Sequence, residues 1–406
     1  MKIALLSFEY PPETGFGGIG TYTWYQARAL VKLGHQVHVL AGSLRPCAFS
    51  TTVHDGVHVH RFRADDLVTR AAEFFAWCRC FWTRQRIQNA WCMYRGLKQL
   101  MKHHTFDVIE MPECGAEGSL ITLLLRTPTV VRFHSPSRLI MPFYDVPKLD
   151  IAVCSWIEDI AIRHATSLTS CSAFLANEVR HQMGVSRHIA VMGNGIDLPL
   201  FDQEPVADLT DLYGVPRGQV TILFAGRMEL RKGIHLCAEI VETILSQHDV
   251  TFLFAGEDIF GYAENTLKPA LEGKNLAGSF RYLGKLGLKE LRACARAVDI
   301  YLLPSLWENC PYSCLEAMAS GRAIVCSDQG GMPELIEHGI TGLLATSEDP
   351  ASYSEQLSRL IESPALRQTV GVAARRSVEQ NCIDTHIAEV TTDAYRACVT
   401  DKIVAL

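Results

Sequence analysis

At 406 residues the chain is too long for one hydrophobic core, and at 48% hydrophobic and 20% charged its composition is that of a folded globular protein. No apolar run reaches the roughly 18 residues that a bilayer span needs, and the start, MKIALLSFEYPP, reads as a first strand ended by Glu9 and two prolines, not as an export signal. The net charge of −6 is uneven: residues 1–198 sum to +4 and residues 199–406 to −10, which argues against a general nucleic-acid binder and makes the first half the place for an anionic acceptor or surface to dock.

Without an export signal, the 14 cysteines are expected to be reduced thiols in a cytoplasm; no CxxC pair occurs, and Cys78 and Cys80 lack partners at zinc spacing. Strands are expected at 2–8, 36–42, 57–63, 107–111, 129–134 and 167–172, separated by amphipathic segments such as 20–33 and 151–165. A second series follows at 220–228, 250–258, 279–284, 299–305, 323–328 and 342–346. This alternation is the signature of βαβ units and parallel sheets. The Asp-, Pro- and Gly-rich stretch 198–218 reads as a linker. The expected fold class is therefore α/β, two Rossmann-like doubly wound domains facing across a cleft, over 1–198 and 199–383. A last helix, about 384–406, is expected to pack back on the first domain. In such sheets ligands bind beyond the carboxyl ends of the strands.

Several segments sit at those ends. PPETGFGGIGTY follows the first strand and opens a helix; its glycines, Gly17 and Gly18 among them, allow backbone N–H groups to approach a phosphate. The spacing is not that of a dinucleotide site, and no acid ends the second strand to hold a ribose. AGRMELRKG, after the first strand of the second half, carries Arg227 and Lys232, a fork and a point charge for phosphate oxygens; Arg231 beside them reads as a solvated surface cation. WENCPYSCLEAMASG places Glu308 on a loop and Glu316 in the early turns of a helix, both without an obvious cation nearby in sequence. Sugar hydroxyls are natural partners for such carboxylates. SDQGGMPELI supplies a second glycine pair, Gly330 and Gly331, at a helix start.

Together GGIGTY, the strand-ending Phe133–His134, NGID at 194–197, GRMELRKG, the E-x7-E pair Glu308 and Glu316, LEAMASG and GGMPELI resemble glycosyltransferase family 4, of the GT-B fold, in family order across almost the whole chain. The resemblance implies a retaining transfer of a hexose-type group from a nucleoside diphosphate sugar to a hydroxyl. It implies that Arg227 and Lys232 bind the donor diphosphate and that Glu316 holds the ribose hydroxyls. Glu308 and His134 would lie at the donor sugar, with Gly17, Gly18, Gly330 and Gly331 giving backbone contacts to sugar and phosphate. On this reading Glu308 and Glu316 are paired by carbohydrate hydroxyls and not by cations. The sequence departs from the family at Asn309-Cys310-Pro311-Tyr312, where many members carry a Gly-containing segment, and at Gly256-Glu257-Asp258.

With two cations to stabilise the leaving diphosphate and no Asp-x-Asp, neither metal nor cofactor is expected. A nucleotide-sugar epimerase on the same fold is the alternative. So is transfer to a small soluble acceptor instead of an anionic or lipid-linked one of an envelope polysaccharide or glycolipid. Segment 70–102 has seven Lys/Arg and the single acid Glu73, with Phe74, Trp77 and Phe81, then Ile87, Trp91, Tyr94, Leu97 and Met101, at helical spacing. It reads either as cleft wall with a solvated basic face or as a peripheral contact with the inner face of a membrane.

Overall fold

A computed structural model describes residues 1–404 apart from Phe16, Cys47 and Ala48; Ala405 and Leu406, the end of the expected last helix, lie outside the described residues. The chain forms two compact units, Met1–Gly195 with Asp384–Leu406, and Ile196–Ile383.

The first unit holds a sheet of β1 (Lys2–Ser7), β2 (Gln36–Gly42), β3 (Ser50–His54), β4 (Val57–Phe62), β5 (Val108–Pro112), β6 (Thr129–Phe133), β7 (Ser167–Ser170) and β8 (Ile189–Val191), in the order β3-β4-β2-β1-β5-β6-β7-β8. All neighbours are parallel except β3, which pairs antiparallel to β4. The central strands β1 and β2 are buried along almost their whole length because helices cover both faces. Two strands are not expected from the sequence: β8, only three residues long, and β3, all five of whose residues are exposed, so it has no buried period. It is joined to β4 by an Asp55-Gly56 turn with φ of 51° and 79°, the left-handed pair of a tight hairpin.

The order reverses between β1 and β5, so the loops after these two strands diverge and leave a crevice. The helix Asp384–Val404 packs on the helix Gly18–Lys32 and lends Ala388, Tyr395 and Cys398 to the core formed by Ile3, Leu5, Leu30 and Val108.

The second unit is a fully parallel sheet, β9 (Val220–Ala225), β10 (Val250–Ala255), β11 (Phe280–Gly284), β12 (Ile300–Leu303), β13 (Ala323–Ser327) and β14 (Leu343–Ala345), ordered β11-β10-β9-β12-β13-β14. Its reversal falls between β9 and β12. The stretch expected as a linker is folded: Leu198–Asp202 and Leu209–Tyr213 are short helices capped by Asp197 and Asp208.

Segment 70–102 is not one helix. Leu67–Ala71, Glu73–Trp77 and Phe81–Leu100 are separate, and the chain turns at Arg79 with φ 61°. Arg86, one of the expected surface cations, is buried instead, donating to Glu158 at 3.3 Å and to Ser137 Oγ at 2.9 Å.

A histidine cluster lies on the β2–β4 edge. His38 Nδ1 is 2.9 Å from His60 Nε2, His60 Nδ1 is 2.9 Å from Thr51 Oγ1, and the rings of His58 and His104 lie 4.7 and 4.5 Å from that of His38. Burial, then the neighbouring histidines, lowers His38 to about 3 and His60 to about 4. The unfolded chain therefore takes up these protons first. Stability is complete above about pH 6.5 and falls as the pH drops toward 4, by up to about 1.4 kcal/mol per pH unit for each histidine. Urea titrations at pH 7 and pH 5 check this. His38→Gln should flatten the slope, and a slope unchanged by that substitution would contradict the assignment.

Candidate active site

In the second unit the two loops at the sheet reversal bring together residues 76 positions apart. After β9 the chain passes Gly226 and Arg227, makes a single turn at Leu230–Lys232, and enters the helix Ile234–Gln247. After β12 it passes Ser305–Pro311 into the helix Tyr312–Ala319. The Lys232 ammonium donates to the Glu308 carboxylate, and Arg231 Nη1 approaches the same Glu308 oxygen at 3.4 Å. The expectation that Glu308 lacks a cation is thus corrected. Chain separation concealed two of them, and a buried carboxylate stays ionised at low cost only when paired.

Burial raises the Glu308 carboxyl, but Lys232 and Arg231 more than offset it and hold it below its ordinary range. Burial lowers the Lys232 ammonium, with Glu308 opposing.

Arg231 also departs from expectation. Its side chain is 8% exposed, donating to the Trp307 carbonyl at 3.1 Å and to Glu229 at 2.8 Å. It fastens one loop to the other. Arg227, by contrast, is 54% exposed, with Glu229 at 3.2 Å. Glu229 had no signal in the sequence beyond its place in the motif.

Gly330 and Gly331 pack directly against the Glu308 loop. Gly330 has φ 72°, and a Cβ on Gly331 would collide with the Asn309 carbonyl. The Gly331 amide donates to the Glu308 carbonyl at 2.8 Å. That N–H is committed to the loop, and the glycine pair is what lets the backbones approach so closely.

Glu316 stands apart from this pair. It is 9% exposed, and no hydrogen bond or ion pair to its carboxylate occurs among the described residues. Burial raises it to about 7, with Arg292 opposing. A diol that donates to the carboxylate favours its ionised form, so binding at pH 6.5 should release a proton and affinity should rise through pH 7. Calorimetry of a nucleoside diphosphate in buffers of different ionisation enthalpy measures that proton. Glu316→Gln should abolish the release, and a release that persists in the variant would assign it elsewhere.

In the first unit, Gly17 and Gly18 open the helix Gly18–Lys32 at the carboxyl end of β1. A Cβ on Gly17 would strike the Glu9 carboxylate, whereas one on Gly18 meets nothing within 4 Å. Gly17 thus lies against the movable end of the Glu9 side chain, and Gly18 borders open space. His134 ends β6, and its amide and that of Ser135 donate to Glu113 at 2.9 and 2.5 Å. Glu113 is fully buried and raised to about 8 by burial. It is a positioning group that sequence reading passed over; its only signal was an acid just past the end of β5.

The His134 ring lies 5.0 Å from that of Tyr22, on the glycine-loop helix. Burial, with Arg132, holds His134 well below the usual histidine range, so it is a neutral imidazole. Tyr22 and Tyr395 both donate to Glu110 at 2.8 Å, and the Arg132 guanidinium lies 4.2 Å from the centre of the Tyr22 ring. The same guanidinium donates to the carbonyls of Met192 and Gly193 at 2.7 and 2.9 Å.

Residues 16–199 match the model of Glycosyltransferase Family 4, and residues 219–363 match that of Glycosyl transferases group 1. The chain carries a Glycosyltransferase Family 4 domain in its first half and a Glycosyl transferases group 1 domain in its second. Among curated relatives, glycogen synthase of Mycobacterium tuberculosis is 26% identical over 98% of this chain and 95% of its own length. Alpha-maltose-1-phosphate synthase of the same organism is 26% identical over 98% and 99%. Sucrose-phosphate synthase of Thermosynechococcus elongatus superposes with a TM-score of 0.78 at 19% identity, covering 98% of each chain. The fold of this glycosyltransferase is GT-B, with one parallel-sheet α/β domain in each half. Its E-x7-E glutamates are unequal: Glu308 is occupied by protein cations, whereas Glu316 is buried with no hydrogen bond or ion pair among the described residues and only the more distant charge of Arg292 to oppose its burial.

Proposed function

We propose that this glycosyltransferase moves a hexose-type sugar from a nucleoside diphosphate sugar to a hydroxyl acceptor, with retention of anomeric configuration and without a metal. The observation that supports it most is the Lys232–Glu308–Arg231 cluster at the sheet reversal of the second unit. The difficult event in such a transfer is charge separation, as the glycosidic bond breaks and negative charge builds on the leaving diphosphate. Arg227 and Lys232 stabilise that charge, and Glu308 holds the Lys232 ammonium in place until a donor arrives. Glu316 accepts the ribose hydroxyls. Gly17 and Gly18 are assigned backbone contacts to the diphosphate, and neutral His134 a hydrogen bond to the donor sugar. The two relatives named for making glycogen and alpha-maltose-1-phosphate support a sugar donor of this class.

The acceptor docks on the first domain, and its positive charge favours an anionic or lipid-linked acceptor, at the inner face of a membrane, over a small soluble one. A screen of nucleotide sugars for hydrolysis, followed by product analysis, tests the function. A transferred glycoside is the expected product. Free nucleotide with an epimerised sugar and no acceptor would establish the alternative. Turnover should survive EDTA, and complete loss restored by Mg²⁺ would overturn the metal-free mechanism.

A further inference from the structure

The helices Phe81–Leu100 and Lys148–His164 each lead into the amino end of a parallel strand, β5 and β7, so their first turns lie at the carboxyl edge of the first unit's sheet. That is the edge where β1 delivers Gly17 and Gly18 and β6 delivers His134. Asp150 ties the two first turns together, accepting the amides of Trp82 and Thr83 at 3.1 and 2.7 Å.

Around this junction the side chains face outward. Trp77 is 82% exposed, Leu149 67%, Trp156 62%, Phe74 59% and Phe81 56%. Leu149 and Trp156 are seven residues apart and share one helix face, and the Phe74 and Trp77 rings are 6.0 Å apart. Scattered apolar residues are ordinary on a surface, but five large ones exposed on this pair of helices and the short helix before them mark an interaction site.

The charge at the junction selects the partner. Arg79, at the corner between Trp77 and Phe81, and Lys148, beside Leu149, are exposed and have no ion pair among the described residues. The acid of segment 70–102, Glu73, is held by Arg84 at 3.1 Å and Gln88 at 2.8 Å. Exposed indoles and phenyls beside exposed cations that form no ion pair among the described residues suit the boundary between headgroups and acyl chains, where apolar rings insert and cations meet anionic lipid.

We propose that the Phe74–Phe81 corner and the first turns of Lys148–His164 form a docking surface for an anionic lipid bilayer, which sets the acceptor-side edge of the first domain against the membrane. The surface deepens the acceptor reading above. It is tested with no donor present, so a failure here leaves sugar transfer standing, and a failure of transfer leaves vesicle binding standing.

The test is sedimentation of the full chain with vesicles of phosphatidylglycerol and phosphatidylcholine, and with phosphatidylcholine alone. Cys78, the exposed cysteine among the described residues, adds a second readout through its rate of maleimide labelling. The expected result is pelleting with the anionic vesicles at low salt, weakened at high salt, with Cys78 labelling slowed several-fold. Trp77→Ser with Phe81→Ser should cut binding about tenfold or more while leaving circular dichroism and nucleotide-sugar turnover unchanged. Arg79→Gln with Lys148→Gln should lower binding to anionic vesicles by about tenfold and remove most of its salt dependence. Absence of pelleting at low salt, or binding unaffected by the aromatic double substitution, overturns the proposal. So does concentration-dependent dimerisation that the aromatic double substitution abolishes, since that would assign the face to a second copy.

Discussion

Lys232→Ala is expected to lower turnover about 100-fold or more, the scale of losing one donor aimed at developing charge. Arg227→Ala should act in the same direction. The structure adds a complication for Lys232 alone, because its removal also strips Glu308 of its nearest cation. Breaking one partner of a buried pair costs about 3–5 kcal/mol, whereas replacing both by neutral groups of similar shape is close to neutral. The informative comparison is therefore Lys232→Ala against Lys232→Met with Glu308→Gln. The double variant should recover most of the thermal stability and none of the turnover. If recovered stability brought the rate back with it, the ammonium would be structural and the diphosphate assignment would fall. Steady-state kinetics alongside scanning calorimetry distinguishes these outcomes.

The second large effect lies away from the donor motifs. Arg86→Ala should destabilise the first unit by about 3–5 kcal/mol, since it leaves Glu158 buried with only Ser137 and the Gly115 amide to hold its charge. Burial already raises the Glu158 carboxyl, with Arg86 opposing. In the variant, without the opposing arginine, the carboxyl should rise further, so the loss should be smaller at low pH than at high pH. Arg79→Gln, on the exposed corner, should change stability by no more than about 0.5 kcal/mol. Equal destabilisation by the two substitutions would show that the Arg86–Glu158 contact contributes little.

Those two arginines show where sequence reading stops. Both lie in one basic stretch and carry the same local pattern, yet one is buried and the other is solvated. The difference is set by Glu158, 72 residues away from Arg86, which no local pattern reports. The strands were legible because buried parallel strands are continuous apolar runs, as in VTILFA and VTFLFA. β3 was not, because its residues bury nothing. The loops at the sheet reversals were legible as glycine, cation and acid motifs. Their wiring was not: Lys232 with Glu308, Arg231 with Trp307, and Glu113 under the His134 amide are all long-range contacts. The pairing of cation and carboxylate was also misjudged because proximity in sequence stood in for proximity in space.

The helix Asp384–Val404 has a consequence for how the protein is made. The ribosome completes residues 1–195 early, but at that stage the core formed by Ile3, Leu5 and Val108 still lacks Ala388, Tyr395 and Cys398. Glu110 at that stage has Tyr22 and Arg132 but not the Tyr395 hydroxyl. The whole of the second unit must emerge before the first can close. The nascent first unit therefore waits with an apolar groove open and the Glu110 carboxylate short of one of its two tyrosine donors. Losing the last turns of the protein by premature termination would strike the beginning of the chain, not its end.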